Sequence, residues 1–248
     1  MRKKLIYSFV ALQAIFLAFQ ASAYAEPIVG VTLGDGSEPV GADALSLLLL
    51  ITILSLAPAI LVLMTSFTRI VIVLGFVRTS LGTQQMPPNQ VLIGLALFMT
   101  MFVMAPTFSQ VNETALKPYL ANQITQTEAL QKASIPMKEF MYKHTRPKDL
   151  LLFMNYTKTE KPETYKDIPI TVLVPAYAIS ELKTAFQMGF MIFIPFLVID
   201  MVVASTLMAM GMMMLPPVMI SLPFKILLFV LVDGWYLVVK SLLTSFST

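Results

Sequence analysis

The 248-residue chain is 57% hydrophobic and 12% charged, with a mean hydropathy of +0.78. Soluble domains carry roughly 45–50% and about 25%; so few charges could not clothe a freely soluble globule, and so apolar a chain is not disordered. The net charge of +3 equals the contribution of Arg2, Lys3 and Lys4, so the rest is neutral and offers no basic surface for nucleic acid. With no cysteine and one histidine, disulfides, thiol nucleophiles, iron–sulfur ligation and cysteine- or histidine-rich metal sites are excluded.

The first element reads as an address. Arg2-Lys3-Lys4 is a positive start and Leu5–Phe19 an apolar run. Ala21-Ser22-Ala23 and Ala23-Tyr24-Ala25 are overlapping A-x-A sites. This layout predicts a cleavable secretory signal over 1–25; the alternative is an uncleaved anchor, for which the run is short. Residues 26–43 carry Glu26, Asp35, Glu38 and Asp43 with Gly and Pro, and read as a solvated extracytoplasmic lead-in.

Four apolar blocks follow. Ala44–Met64 is an uncharged stretch with the length of one bilayer crossing, which Pro58 should kink. Val91–Ala105, closed by Pro106, lies between a span and a buried helix. Arg69 and Arg78, with no acid between the blocks, predict a short cytoplasmic-side loop. The polar stretch 107–170 is compatible with helix over Glu113–Leu130 and Ser134–Tyr156, and long loops of either charge can be translocated. Ala185–Leu215 and Val218–Leu243 are interrupted by Asp200, Lys225, Asp233 and several prolines. Such breaks at membrane depth need protein or water to satisfy the freed backbone. The expectation is two interrupted helical hairpins, 44–106 and 171–248, packed against partners, in an all-α membrane-associated protein.

Asp200 lies in an apolar run and requires a partner or water. Lys225 is the nearest candidate, although the match is loose: Asp200 is 15 residues before Leu215 and Lys225 is 8 after Pro217. The pair could also form between subunits, or be an interior ion pair with no part in transport. Asp233, before Gly234-Trp235-Tyr236, fits an interface. Asp200 with Asp233 would be the only basis for an intramembrane acid–base enzyme, and nothing makes them converge. A small-solute transporter would call for an inverted repeat, and none is visible. Nine of 18 methionines fall between Met188 and Met219, and Met212-Met213-Met214 stand together between Gly211 and Leu215-Pro216-Pro217. At a Gly/Pro-rich turn these adaptable side chains could line a flexible apolar collar, or simply form a hairpin tip.

Four segments resemble one family. They are Pro175–Phe190 (PAYAISELKTAFQMGF); Ser66–Leu74 with Gly82–Gln90; Pro195–Asp200; and Gly211–Pro217 with Leu222–Lys225. Together they resemble the FliP family of flagellar and type III protein-export components, over about Leu45 to the C-terminus. The secretory start favours the flagellar branch. The resemblance implies an export-gate subunit, not an enzyme, with no cofactor and no metal, in the bacterial inner membrane within the flagellar basal body. It implies a pore-forming ring of about five copies, a closed cyclic assembly, built with FliQ and FliR and served by FlhA and FlhB. Unfolded rod, hook and filament proteins would be the substrates. It also implies a helical cone largely lifted out of the bilayer plane. Met212, Met213 and Met214 match the family's pore gasket; Glu181, Asp200 and Lys225 match polar positions serving subunit packing or ion pairing. The sequence contains no GxxxxGK[ST] loop, so energy coupling is expected in partners.

Overall fold

A computed structural model of the chain describes residues 40–247 apart from 84, 159–161, 163 and 213. The expected signal (1–25) and most of the lead-in lie outside the described residues. The chain divides into two compact units, residues 1–55 and 56–248. No strand occurs among the described residues.

In the first unit the described residues are helical and form the leading part of α1 (Val40–Met64). Thr52 Oγ1 donates to the Leu48 carbonyl at 2.7 Å and Ser55 Oγ to that of Thr52 at 2.8 Å. Hydroxyls that bond back to their own helix in this way sit in an apolar setting without an orphaned donor.

In the second unit, the helix leaves α1 at Thr65–Ser66 and turns by 80° into α2 (Phe67–Leu81). The turn is satisfied by side chains: Thr68 Oγ1 donates to the Val62 carbonyl, and the Phe67 N–H donates to Thr65 Oγ1 at 3.3 Å. The stretch expected to be a cytoplasmic loop is therefore mostly helix, because Ile70, Val73, Leu74, Val77 and Leu81 repeat at helical spacing and bury one face. Gly82, at φ +75°, closes the helix by donating its N–H to the Thr79 carbonyl.

Helix α3 (Asn89–Val111) starts behind Pro87-Pro88 and passes through Pro106 instead of stopping there. Buried Met104 and Thr107 flank that proline, and their packing outweighs the lost backbone bond. A π-helical turn, Asn112–Leu116, leads into the short α4 (Lys117–Leu120). The polar stretch then folds as α5 (Gln126–His144) and α6 (Pro147–Thr157), with a break at 121–125 that falls inside the expected Glu113–Leu130 helix. A capping box fixes the start of α5: the Glu128 N–H donates to Thr125 Oγ1 at 3.3 Å and the Thr125 N–H to Glu128 Oε2 at 2.9 Å. Pro147 occupies the first turn of α6, where its missing N–H costs nothing.

Helix α7 (Ile170–Ala209) has 40 residues. The third apolar block was expected to be broken at Pro195 and Asp200; it is a continuous helix. Its packed flank compensates the prolines, and Asp200 is neutralised as described below. α8 (Pro217–Leu231) and α9 (Gly234–Thr244) meet at 63°. Asp233 takes the left-handed φ of +51° at that bend, and the Phe229 ring lies over Gly234, where a Cβ would come within 2.3 Å of it.

The most extensive packing is α2 on α7, one from each expected hairpin, so the two apolar regions share a core. Phe76 meets Phe186 edge-on at 5.4 Å and lies over Gly189. A second core joins Met104 of α3 to Phe140 and Met141 of α5, Leu150 and Met154 of α6, and Val172, Leu173 and Tyr177 of α7. The polar segment is thus docked on the first half of α7. Among the described residues, two helical stretches are long and apolar enough to cross a membrane, Asn89–Leu120 and Ile170–Ala209, or up to four if each bent pair counts as one. Many large apolar side chains stay exposed, among them Phe98 and Phe102 of α3, Phe190 and Met191 of α7, and Leu231 of α8. So much uncovered apolar surface suits lipid or protein neighbours.

Candidate functional site

Two ion pairs and one turn gather the residues that stood out in the sequence. At the first pair, α2 supplies Arg69 and α7 supplies Glu181. Arg69 Nε donates to Glu181 Oε2 at 2.8 Å and Nη2 donates to Oε1, a two-pronged contact. Both side chains are almost sealed from solvent. The remaining guanidinium nitrogen, Nη1, donates to the Ser245 carbonyl at 3.0 Å and to Ser245 Oγ at 2.9 Å, and Phe246 stacks on the guanidinium at 3.9 Å. One cation therefore binds together α2, α7 and the end of α9. Such planar recognition is a property of arginine that lysine does not share. Next to it, buried Tyr177 donates its hydroxyl to the Thr65 carbonyl at 2.9 Å, holding the 80° turn.

Arg69 is thus not a loop cation but a buried structural one, correcting the sequence-based expectation. The physical reason is its place at the head of Ile70–Leu74, whose burial carries it inward. Arg78 also lies on α2, in the last turn, half-buried, with Nη1 donating to Asn89 Oδ1. A cation there complements the helix C-terminus.

The second pair joins α7 to α8. Lys225 Nζ donates to Asp200 Oδ2 at 2.6 Å, and Ser221 Oγ donates to Oδ1. Lys225 is buried and Asp200 partly so. The register follows from the true helix ends: Asp200 is nine residues before Ala209 and Lys225 eight after Pro217. The sequence count was loose because it placed the turn at Leu215, while the helix ends at Ala209. The lysine and serine satisfy both carboxylate oxygens, so Asp200 is occupied by its pair. Asp233 stands exposed at the α8–α9 bend.

Between α7 and α8 lies the methionine turn. Gly211, at φ +75°, and Pro216 bracket it. Met214 is 98% exposed and Met212 38%; Met213 lies outside the described residues. Its described methionines, Met212 and Met214, present flexible apolar side chains a few helical turns from the nearest charge pair.

Three polar residues of the site escaped the sequence reading. Ser221 lies four residues before Lys225, one helical turn away and on the same face, which could have flagged it. Asp149 and Ser180 tie the start of α6 to α7: Ser180 donates to Asp149 Oδ2 at 2.6 Å and accepts from the Arg146 N–H at 3.0 Å. Burial favours the neutral Asp149 carboxyl, but the bonds from Ser180 and Arg146 outweigh it and hold the group below the usual aspartate range. On α5, the bond from Lys143 lowers the Glu139 carboxyl, and Glu139 in turn raises the Lys143 ammonium. Among the described residues no cluster of three metal-ligating side chains occurs.

An all-helical chain with membrane-length apolar helices, buried charge pairs and an exposed apolar turn defines a membrane-associated protein. The chain matches the FliP family over residues 50–242. It is 71% identical over 217 residues to the flagellar biosynthetic protein FliP of Bacillus subtilis strain 168, covering 87% of this chain and 98% of that one. The protein of that name from Caulobacter vibrioides is 53% identical, over 91% of this chain and 85% of its own. That from Aquifex aeolicus is 47% identical, over 89% and 92%. The chain belongs to the FliP family.

Proposed function

We propose that this chain is a pore-forming subunit of the flagellar type III export gate, passing unfolded rod, hook and filament proteins across the inner membrane. Family membership supports the coarser role in flagellar export. The observation that carries the finer reading is the methionine turn, with Met214 fully open at the tip between two apolar helices. Copies of the chain, together with FliQ and FliR, would bring such turns around one axis. FlhA and FlhB would complete the apparatus on the cytoplasmic side.

A conduit for varied polypeptides needs contacts weak and adaptable enough that no chain is trapped. Unbranched, polarizable methionines meet that need and can also close against ions. The buried pairs Arg69–Glu181 and Asp200–Lys225 hold the helices that carry the turn, and perform no chemistry. The gate is thus a scaffold and not an enzyme.

Deletion of the gene should abolish filaments and swimming. Replacing Met212, Met213 and Met214 together by alanine should raise ion leak through the membrane while the complex still assembles. Filaments in the deletion strain would overturn the export role; unchanged leak in an assembled variant would overturn the gasket.

A further inference from the structure

An open basic cleft of about 820 Å³ lies where α7, α9 and the end of α5 come together. Lys143, His144 and Lys240 stand on its wall, Thr184 marks its position on α7, and Met188 and Leu237 form its apolar side. Arg69 also reaches it, but its charge is spent on Glu181. Among the described residues no acidic side chain lines the cleft. Lys143 shares its charge with Glu139 at 2.8 Å. Lys240 has no carboxylate partner among the described residues, and the Tyr236 ring lies 5.8 Å from its ammonium. The cleft therefore carries cationic charge that nothing in the described chain neutralises.

Its position along α7 identifies the anion. Glu181 and Lys183 precede it, and from Ala185 to Ala209 the only charged side chain is Asp200, already paired with Lys225. Thr184–Met188 thus follows the last charges on α7 before Asp200, and the side chains beyond it are almost all apolar. On α9, ahead of Lys240, stand exposed Trp235 and Tyr236, residue types that collect at a membrane–water boundary, and exposed Leu237. Cationic side chains beside apolar ones match a phosphate headgroup with its acyl chains.

We propose that this cleft binds the headgroup of an anionic phospholipid, with Lys240 as the principal contact and Met188 and Leu237 against the acyl chains. This goes beyond the conduit reading and requires only that the chain resides in a membrane.

The test is native mass spectrometry of the full chain in a neutral detergent. Dioctanoyl phosphatidylglycerol, dioctanoyl phosphatidylcholine and inorganic phosphate are titrated separately. Phosphatidylglycerol should bind at least about 10-fold more tightly than phosphatidylcholine. A lysine near an anionic surface contributes about fivefold, so Lys240→Ala should weaken phosphatidylglycerol about fivefold. Lys143→Ala should weaken it less, Lys240→Arg should retain it, and Lys158→Ala, on another part of the chain, should leave it unchanged. Equal binding of the two lipids, or indifference to Lys240→Ala in a variant with the parent's helical content, would overturn the proposal. Phosphate binding as tightly as the lipid would overturn the lipid assignment by marking a free-anion site. If Lys240→Ala fails to fold, the comparison of Lys240→Gln with Lys240→Arg decides the same question.

Discussion

Removal of the Glu181 carboxylate should be among the most damaging single changes in the chain. Glu181→Ala deletes both prongs of the contact with Arg69 and leaves a guanidinium buried among apolar side chains. Stripping one partner from a buried pair costs about 3–5 kcal/mol. Arg69 keeps two bonds to Ser245 and the Phe246 ring, which places the loss near about 3 kcal/mol. Glu181→Gln keeps an acceptor but no charge, and should cost about 2 kcal/mol. The double change Arg69→Met with Glu181→Leu removes both charges, and Ser245 Oγ still donates to the Leu242 carbonyl at 2.7 Å. That variant should lie within about 1 kcal/mol of the parent, because no ion is left to desolvate. Unfolding by dodecyl sulfate in mixed micelles, followed by the fluorescence of Trp235, the only tryptophan, measures each difference. A loss below about 1 kcal/mol for Glu181→Ala, or a double variant as unstable as the sum of its singles, would refute the assignment of a coupled buried pair.

Gly189→Ala should separate α2 from α7, since its Cβ would come within 2.4 Å of the Phe76 ring and 2.9 Å of the Phe76 Cβ. A cost of about 1–3 kcal/mol is expected, and Phe76→Ala in the same chain should recover part of it in the same unfolding assay. Reversal of Asp200 or Lys225 alone should reduce swimming in soft agar strongly. Asp200→Lys with Lys225→Asp should restore part of it if the 2.6 Å contact is the reason. Acid should loosen α5 and α6 before the apolar helices. Glu128 is lowered by the Thr125 N–H, Glu139 by Lys143, and Asp149 by Ser180 and Arg146 against its burial. Each depressed carboxyl contributes stability that is complete above its ordinary value, 4.5 for glutamate and 3.8 for aspartate, and is lost as pH falls through the lower folded value. Amide exchange in 126–157 should therefore accelerate below those values, and less so in Glu128→Gln with Asp149→Asn.

Composition and the four resembling segments made the all-helical, membrane-associated class legible, because both are properties of runs of residues. The partnership of Asp200 with Lys225 was half legible: one acid and one base in apolar blocks need each other, but their register depends on where α7 ends. Arg69 was misread because positive charge between apolar blocks normally marks a loop. Only the burial of Ile70, Val73 and Leu74 beside it, and a carboxylate 112 residues away, turn it inward. Pro106 and Pro195 were read as stops for the same reason: a local rule was applied where long-range packing decides. The two-pronged geometry at Glu181 and the cleft at Lys240 arise from three helices meeting, and no local pattern encodes them.

Helix α7 sets one last condition. At 1.5 Å per residue its 40 residues measure about 60 Å, against about 30 Å of hydrocarbon. To lie wholly within that thickness it would have to lean by about 60°, beyond the 0–40° seen for spanning helices. Part of this mast must therefore stand clear of the lipid at any admissible inclination. The end dressed by α5 and α6 is equipped for that, and from there the helix runs on without a break to Ala209, just short of the methionine turn.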